Sequence, residues 1–411
     1  MPRTKAKKTS TLAGFALALS LSTGWAAHAQ TPAFSVLHTF TGADGAFPSY
    51  AMPLTQDSGG NLYGVTSEGG DLSSEQCDFA GCGVVFKLSP ATGSETVVYA
   101  FTGESDGSRP SGVILDPKGN LYGVTSQAGG TIFKLTPAGA ETTLYAFPNS
   151  TTGYDPVGGL VGDPMGNLYG TAPDGGTIGA TFGVAFELAP NGAYTVLHDF
   201  SLTDGSFPYA ALVRDRAGNL YGTTLEGGPS EQGVVFKLDP SGLETVLHDF
   251  TGADGSAPES PLILDAAGNL YGVTPAGGKY NNGVVFEMGA TGTFSVLYNF
   301  TGGADGGSPG GKLLRDATTG TLYGTAGIGG NATGSCSTGC GVLFQLEVSG
   351  RETVLYAFTG LADGKNPSSG LIATTAAGVV EFFGTAEYGG EGGCLGNVTG
   401  CGTVYKLTLG P

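Results

Sequence analysis

Runs of four to eight apolar and β-branched residues, partly alternating with polar ones, recur along almost the whole chain. The fifth repeat shows four such runs cleanly, at residues 261–264, 269–274, 283–288 and 293–300, which we name A, B, C and D. Alternation with β-branched and aromatic content predicts strands, and no segment after residue 29 shows a sustained period of 3.6 residues. The chain is therefore expected to be all-β.

The tripeptide Leu-Tyr-Gly marks run B of each repeat. Its glycines lie 47 to 60 residues apart, and such a spacing is typical of a solenoid, a propeller or an array. The seven copies, of which the last is degenerate, are Leu62-Tyr63-Gly64, Leu121-Tyr122-Gly123, Leu168-Tyr169-Gly170, Leu220-Tyr221-Gly222, Leu270-Tyr271-Gly272, Leu322-Tyr323-Gly324 and Phe382-Phe383-Gly384.

Two of the four connections in each repeat are short and two are long. Asp-x-x-Gly-Asn joins A to B, as at residues 116–120, and Pro-x-Gly or a relative joins C to D, as at residues 240–242. Asp can bond the backbone ahead of it and Gly supplies positive φ, which suits tight turns. Because antiparallel strands alternate in direction, the longer B–C and D–A loops must emerge together. We name that side of the molecule the loop face and the opposite side the turn face.

Four-stranded repeats of this length fit a β-propeller, in which radial packing protects the strand edges. An orphan D run at residues 34–40 precedes the first repeat, and the last repeat ends on a C run at residues 402–407. Seven complete blades result only if the N-terminal strand joins the last blade, with the segment around Val36 beside the segment around Val404. We predict a closed seven-bladed propeller of four-stranded antiparallel blades, forming one domain over residues 30–411.

The repeat as a whole resembles the tandem GloVer (Gloeo/Verruco) repeat of exported bacterial proteins. The resemblance rests on Gly-Asn-Leu-Tyr-Gly-(Val/Thr)-Thr, Gly-Gly, Gly-Val-Val-Phe-Lys-Leu and Glu-Thr-Val-Leu-Tyr-x-Phe-Thr-Gly-x-x-Asp-Gly, and it covers nearly all of the chain after residue 29. It implies export and no common activity. Members of that family carry varied surface anchors; residues 409–411 do not resemble one, so no surface tether is expected. The Asp-x-x-Gly-Asn-Leu-Tyr portion is also similar to repeats of virginiamycin-lyase-like and NHL-type propellers.

Residues 1–29 have the pattern of an export signal. Four basic residues precede an apolar core at residues 12–21, and Ala27-His28-Ala29 offers the small-x-small site of a signal peptidase. The core is too short for a permanent membrane span, and no later run of about 18 apolar residues offers one. We expect a secreted or periplasmic, monomeric protein without a membrane span.

Removal of the signal leaves a strongly acidic chain. Four of the 17 Lys and Arg residues and none of the 35 Asp and Glu residues lie in residues 1–29, so the net charge changes from −18 to −22. A surface of this sign repels phosphates and argues against nucleic-acid binding. It is typical of a soluble protein, with calcium or cationic partners as the alternative.

Six cysteines fall in three close pairs, all in B–C loops. In an exported chain such pairs are typical of local disulfides that stiffen the loops. Zinc is the alternative, although spacings of four, three and six intervening residues with no histidine nearby do not favour it. The pairs are Cys77 with Cys82, Cys336 with Cys340, and Cys394 with Cys401.

Three histidines remain after residue 29, namely His38, His198 and His248, and each holds a D-strand position that is tyrosine in other repeats. This exchange indicates a packing position with a polar tip and argues against a catalytic triad. The D–A loops contain Asp-Gly, which is typical of a turn whose Asp caps the backbone. A ring of these carboxylates holding Ca²⁺ or a cationic ligand is the alternative. Its candidate ligands are Asp44, Asp106, Asp204, Asp254, Asp305 and Asp363, with Asp155 the nearest equivalent in the third repeat.

The Gly-Gly pairs after strand B, such as Gly69-Gly70, lack the following helix and the Lys-Ser/Thr of a phosphate-binding loop. They indicate turns or bulges, and no organic cofactor is expected.

Near-uniform repeats favour a non-catalytic module that binds an extracellular or cell-envelope glycan or protein through the loop face, because an active site breaks the symmetry of repeats. The alternative is an extracellular polysaccharide lyase or glycoside hydrolase. A glycosidase needs two suitably spaced carboxylates, for which Glu68, Asp174 and Glu226 at the ends of B strands are the candidates. The scarcity of basic residues and the absence of tryptophan after residue 29 weigh against the enzyme.

Overall fold

A computed structural model describes residues 32–49, 52–148, 150–177, 182–331, 336–390, 394–395 and 400–410. The predicted export signal at residues 1–29 lies outside these ranges. Within them the chain forms a seven-bladed β-propeller of antiparallel sheets, with only two short 3-10 helices, at Glu75–Cys77 and Ser150–Thr152. No helix in the described part of the chain is long and apolar enough to cross a membrane.

Each of blades 1 to 6 takes its strands in the order A, B, C and D from one continuous stretch of chain. Blades 1 to 6 comprise β2 to β26, with four strands each, except that two short A strands, β2 and β3, both pair with β4 in blade 1. In chain order the strands are β1 (Ala33–Thr39), β2 (Ala46–Pro48), β3 (Thr55–Gln56), β4 (Leu62–Glu68), β5 (Val84–Leu88), β6 (Glu95–Ala100), β7 (Pro110–Leu115), β8 (Leu121–Thr125), β9 (Thr131–Leu135), β10 (Glu141–Ala146), β11 (Leu160–Gly162), β12 (Leu168–Ala172), β13 (Val184–Leu188), β14 (Tyr194–Asp199), β15 (Val213–Arg214), β16 (Leu220–Thr224), β17 (Val234–Leu238), β18 (Glu244–Asp249), β19 (Ile263–Leu264), β20 (Leu270–Thr274), β21 (Val284–Met288), β22 (Phe294–Asn299), β23 (Gly307–Arg315), β24 (Leu322–Ile328), β25 (Val342–Leu346), β26 (Glu352–Ala357), β27 (Ile372–Ala376), β28 (Val379–Ala386) and β29 (Thr403–Leu409).

Blade 7 contains both ends of the described chain. Its sheet has the order β27, β28, β29, β1, so the N-terminal strand supplies the outer D strand of the last blade. In this antiparallel pair Val36 lies opposite Tyr405 and His38 opposite Val404. The predicted closure of the ring is therefore confirmed.

Neighbouring blades are joined through aromatic rings. The phenylalanine that follows each D strand packs against the aromatic residue in the middle of the next blade's C strand, with centroids 5.0 to 5.6 Å apart and a T-shaped arrangement. This geometry is favourable for aromatic pairs, and the rings are buried. The seven pairs are Phe40–Phe86, Phe101–Phe133, Phe147–Phe186, Phe200–Phe236, Phe250–Phe286, Phe300–Phe344 and Phe358–Tyr405.

Each residue of the Leu-Tyr-Gly tripeptide has a different structural role, as blades 1 and 2 show. Leu62 is buried in the core. The hydroxyl of Tyr122 donates to the carboxylate of Asp116 in the preceding A–B turn, at 3.3 Å. A Cβ atom on Gly64 would lie 2.6 Å from the ring of Phe86, so this position has no room for a side chain.

The A strands line the centre of the ring, and some are shorter than predicted. Of residues 261–264 only Ile263 and Leu264 pair with strand B. Where the blades converge, the segments ahead of the A strands turn toward the neighbouring blade; in blade 4, for example, the carbonyl of Ala210 accepts a bond from Thr171 of blade 3, at 3.0 Å. Small residues are frequent in these segments and in the first half of the longer A strands, namely Ser111, Gly112, Gly158, Gly159, Ala210, Ala211, Gly310, Gly311, Ser369 and Gly370.

Candidate functional site

Each D–A loop leads into a non-glycine residue in the left-handed backbone region, followed directly by proline. The φ angles at these seven positions lie between 50° and 58°. Non-glycine residues adopt such angles in only a few per cent of cases, so seven equivalent examples demand a common cause. We name the set the x-Pro ring; it comprises Phe47, Arg109, Asp155, Phe207, Ala257, Ser308 and Asn366.

The preceding blade imposes this conformation. The N–H of Arg109 donates to the carbonyl of Cys82 at 2.9 Å. The next residue, Pro110, packs so closely on Gly83 that a Cβ atom there would lie 2.6 Å from the proline ring. The corresponding N–H bonds recur at all seven blade interfaces. Because backbone contacts hold the turn, the x-Pro side chain is left free to differ from blade to blade.

The ends of the B strands lie beside the x-Pro ring. Glu68 ends β4 and pairs with Ala46 of the D–A loop, and the carbonyls of Asp174 and Glu226 accept backbone bonds of 2.8 Å from the D–A loops of their own blades. The three carboxylates predicted from the sequence are thus all on the loop face. They do not share one pocket.

Asp155 and Asp174 line a pocket of about 260 Å³ together with Arg109 and Tyr209. Burial raises the pKa of both carboxyl groups above the usual range, and for Asp155 the nearby Asp174 charge adds to this effect while the Gly129 N–H, 3.2 Å away, opposes it. Burial also raises the pKa of Tyr209, with the surrounding carboxylates contributing. The pocket therefore combines two carboxyl groups and an aromatic hydroxyl whose pKa values all lie above their usual range.

A neighbouring pocket of about 210 Å³ contains Glu68, another of the three predicted carboxylates, with Arg109, Phe47 and Glu387. Arg109 Nη2 lies 3.5 Å from Glu68 Oε1, and because the guanidinium is half exposed this ion pair contributes little to stability. Burial raises the pKa of Glu387, although bonds from neighbouring side chains, including Asn366, oppose the shift. Arg109 borders both pockets and remains accessible to a ligand.

The inner rim of the loop face is thus acidic and partly aromatic. Carboxyl groups can exchange hydrogen bonds with hydroxyl groups, and partly exposed aromatic rings can stack on apolar faces of a ligand. The carboxylates at the rim are Glu68, Asp155, Asp174, Glu226, Glu259 and Glu387; the aromatic side chains include Phe47, Phe207 and Tyr209.

A larger cleft, of about 730 Å³, lies on the turn face between blades 2 and 3. Its lining includes Asp116, Lys118 and Met165. The Asp116 carboxylate already accepts four bonds within its own turn. The Asp116 carboxylate therefore serves the fold. The loop-face pockets contain several carboxyl groups with raised pKa values and are the stronger candidates for a binding site despite their smaller volumes.

The D–A loop aspartates cap their own loops, as the turn interpretation predicts. Asp44 Oδ1 accepts bonds of 2.8 Å from both the N–H and the hydroxyl of Thr41, and Asp44 Oδ2 lies 3.0 Å from His38 Nε2. The same arrangement, with Tyr or His and Thr or Ser as partners, holds at Asp106, Asp204, Asp254, Asp305 and Asp363. Calcium binding by these carboxylates stays a prediction.

The proposed equivalence of Asp155 with these aspartates is wrong. Asp155 directly precedes Pro156 and has φ of 53°, so it is the x-Pro counterpart of Arg109 and not of Asp106. Up to its x-Pro residue the third D–A loop has the same length as the second, but it carries Thr152-Gly153 where the second has Asp106-Gly107. Thr152 is the last residue of the 3-10 helix Ser150–Thr152.

The three predicted disulfides are present, as Cys77–Cys82, Cys336–Cys340 and Cys394–Cys401. No cysteine in the described part of the chain is free. All three lie in B–C loops, on the same side as the x-Pro ring, so they stiffen the loop face. The Gly-Gly pairs after strand B, such as Gly69 and Gly70, have positive φ, which confirms their assignment to turns.

The x-Pro ring, Tyr209, Glu259 and Glu387 were not predicted from the sequence. A signal was present, because proline follows the loop aspartate by four residues in six of the seven repeats, as in Asp106 and Pro110. A residue before proline is ordinarily extended, so local rules do not predict the left-handed turn.

A family model described as the Gloeobacter/Verrucomicrobia repeat matches residues 21–216 and 179–405. No curated protein matches the chain in sequence.

Similar solved structures share little sequence with this chain. The extracellular domain of a putative one-component system from B. thetaiotaomicron superposes with a TM-score of 0.52 at 13% identity, over 90% of this chain and 39% of that one. A gluconolactonase from Xanthomonas campestris has a TM-score of 0.44 at 13% identity, over 71% and 86% of the two chains. A putative gluconolactonase gives 0.42 at 13% identity, over 92% and 91%. At such identities the likeness concerns the fold alone.

Proposed function

This chain belongs to the Gloeobacter/Verrucomicrobia repeat family, and we propose that it is a non-catalytic binding module whose loop face holds an extracellular or cell-envelope glycan. The observation that carries the proposal is the x-Pro ring, where six residue types occupy seven equivalent positions on a fixed backbone. A fixed backbone that carries different side chains at equivalent positions is suited to the recognition of a ligand.

The chemistry of the rim favours a glycan over a protein ligand. Asp155 and Asp174 offer carboxyl groups for sugar hydroxyls, and Phe47 and Tyr209 offer rings for stacking. The predominance of carboxylates opposes acidic polysaccharides, because like charges would meet. A neutral or amino-sugar glycan is the expected ligand.

Secretion or export to a periplasm completes the proposal. Three disulfides are typical of oxidising compartments, and residues 1–29 carry the predicted export signal. A glycan ligand outside the cytoplasm is consistent with both.

Binding is tested with the purified chain of residues 30–411 on a panel of neutral, amino-sugar and uronate glycans, with released reducing ends measured in parallel. We expect retention of a neutral or cationic glycan without product. Asp174→Asn and Tyr209→Ala should each weaken retention at least tenfold. Glu347→Gln, on the turn face, is the matched control and should leave retention unchanged. Absence of retention on every glycan would overturn the proposal.

A glycoside hydrolase is the second candidate, favoured by the raised pKa values of the paired carboxyl groups Asp155 and Asp174. A glycosidase needs one carboxyl group that stays protonated to serve as the general acid. Product release that disappears in Asp155→Asn and Asp174→Asn, while retention persists, would establish this function in place of simple binding.

A further inference from the structure

The residue at the start of each D strand, which is Phe34 in β1 and the first strand residue in the other blades, faces the D strand of the preceding blade. At three interfaces this residue is aromatic and stacks on the tyrosine or histidine there, with ring centroids 3.5 to 4.1 Å apart. At the other four it is a glutamate. The stacked pairs are Phe34–Tyr356, Tyr194–Tyr145 and Phe294–His248, and the glutamates are Glu95, Glu141, Glu244 and Glu352.

The interface between blades 7 and 1 brings three possible metal ligands together. His38 and Asp44 come from β1 and the loop after it, and Glu95 begins β6. One nitrogen or oxygen from each of the three side chains lies within 4.8 Å of the other two. His38 Nε2 and Asp44 Oδ2 are 3.0 Å apart.

Glu95 Oε1 is buried and accepts no hydrogen bond from any described residue. A buried carboxylate oxygen without a donor is unfavourable, and Glu95 forms no ion pair with any lysine or arginine of the described residues. A cation placed between the three side chains would satisfy this oxygen and would take the place of the proton that His38 Nε2 and Asp44 Oδ2 now share.

We propose that His38, Asp44 and Glu95 bind a divalent transition-metal ion of the Zn²⁺ class. Zn²⁺ takes imidazole nitrogen and carboxylate oxygen at about 2.0–2.2 Å, so its ligand atoms stand roughly 3.3 Å apart in a tetrahedron. Side-chain rotation brings atoms now 3.0 to 4.8 Å apart to that spacing. Three protein ligands leave the fourth position to water. Calcium prefers an all-oxygen set of six or more ligands, which this cluster does not offer.

The ion would link β1, the D strand of blade 7, to β6, the D strand of blade 1. The same residue types recur between blades 3 and 4, where His198 Nε2 and Asp204 Oδ2 are 3.3 Å apart and Glu244 Oε1 also lacks a donor. The ligand atoms of that second set do not all lie within 4.8 Å of one another, so one bound equivalent is expected, at Glu95.

The chain contains its own control at the interface of blades 4 and 5. His248 Nε2 and Asp254 Oδ2 lie 3.1 Å apart there, as in the proposed site. Phe294 replaces the glutamate and stacks on the His248 ring at 3.5 Å. Glu95→Phe therefore removes a ligand in favour of a contact that this fold already uses.

The test is a Zn²⁺ titration of the oxidised, purified chain of residues 30–411 by calorimetry, with melting temperatures recorded in Zn²⁺, Ca²⁺ and EDTA. Glu95→Gln and Glu95→Phe should each lose one equivalent or bind it at least tenfold more weakly, and should lose the rise in melting temperature that Zn²⁺ gives the parent chain. His248→Gln should leave the stoichiometry unchanged. Equal Zn²⁺ binding by the parent and both Glu95 variants, or no Zn²⁺ binding by a folded parent chain, would overturn the site; so would stabilisation by Ca²⁺ alone.

Discussion

The hydroxyl of Tyr99 donates a bond of 3.0 Å to Asp106, seven residues later. Where histidine takes the place of tyrosine, the partner aspartate is one residue closer, as in His38 and Asp44. Tyr298 and Tyr356 follow the longer spacing, and His198 and His248 the shorter one. Because the phenolic oxygen reaches farther from the backbone than the imidazole nitrogen does, the side chain and the loop length are matched.

Tyr99→Phe should lower the free energy of unfolding by about 1–2 kcal/mol, since it removes a hydrogen bond to a carboxylate. Urea denaturation measures the change. Tyr145→Phe is the control, because the aspartate of its loop, Asp155, instead accepts a bond from the Gly129 N–H. Equal losses in the two variants would refute the role of Asp106.

Tyr99→His should destabilise the protein as much as Tyr99→Phe, because the shorter side chain falls short of Asp106 in a seven-residue spacing. Deletion of Glu104 in the same variant restores the six-residue spacing seen between His38 and Asp44 and should recover most of the loss. A double variant no more stable than Tyr99→His would show that loop length is not the controlling quantity.

Gly83→Ala should be strongly destabilising, by about 3 kcal/mol or more, because the new Cβ atom would lie 2.4 Å from the Thr66 carbonyl and 2.6 Å from Pro110. Gly60→Ala separates this clash from backbone strain. Gly60 has φ of 83°, against 92° for Gly83, and no atom within 4 Å of its Cβ position. We expect Gly60→Ala to lower the free energy of unfolding by about 1 kcal/mol, because only the left-handed backbone opposes the new side chain. Similar losses at both sites would contradict the proline contact.

Glu352 gives the protein a pH-dependent stability. Burial, with a contribution from Asp305, raises the pKa of its carboxyl group from 4.5 to about 7. The folded state therefore binds this proton more tightly, so the contribution is full below about pH 4.5 and is lost as the pH rises through 7.

Glu352→Gln should consequently stabilise the protein at pH 8, by about 1 kcal/mol after allowance for the partial exposure of the group, and change little at pH 4. Melting temperatures across this range measure it. Glu347→Gln is the control, and its effect on the melting temperature should not become more stabilising as the pH rises. A Glu352→Gln effect that is constant with pH would show that its pKa is ordinary.

The disulfides predict a mass six protons below that of the fully reduced chain, by intact-mass analysis without reductant. Cys77→Ser with Cys82→Ser should lower the free energy of unfolding by at most about 2 kcal/mol, because the bridge closes a loop of only a few residues. Free thiols in the untreated protein would contradict the pairing.

The sequence was sufficient for the strands and the closure, because Leu-Tyr-Gly marks each blade and the runs around Val36 and Val404 had no other partners. It also placed Glu68, Asp174 and Glu226 on the loop face. It did not reveal the x-Pro ring, because the turn at Arg109 depends on Cys82 and Gly83 of another blade. An alignment based on Asp-Gly likewise misplaced Asp155, since the third loop has Thr152 in place of the aspartate and the next aspartate along the chain is the x-Pro residue.

The pairing of β1 with β29 sets the order in which the molecule can be completed. Among the described strands β1 comes first and β29 comes last. Until these two strands pair, each has an unpaired edge. Once closed, Ala33 lies opposite Thr408, and a short connector there would make the backbone continuous. This circular chain could then be opened at any other C–D turn. The new chain ends would lie in a different blade, and the strand pairing inside every blade would stay the same.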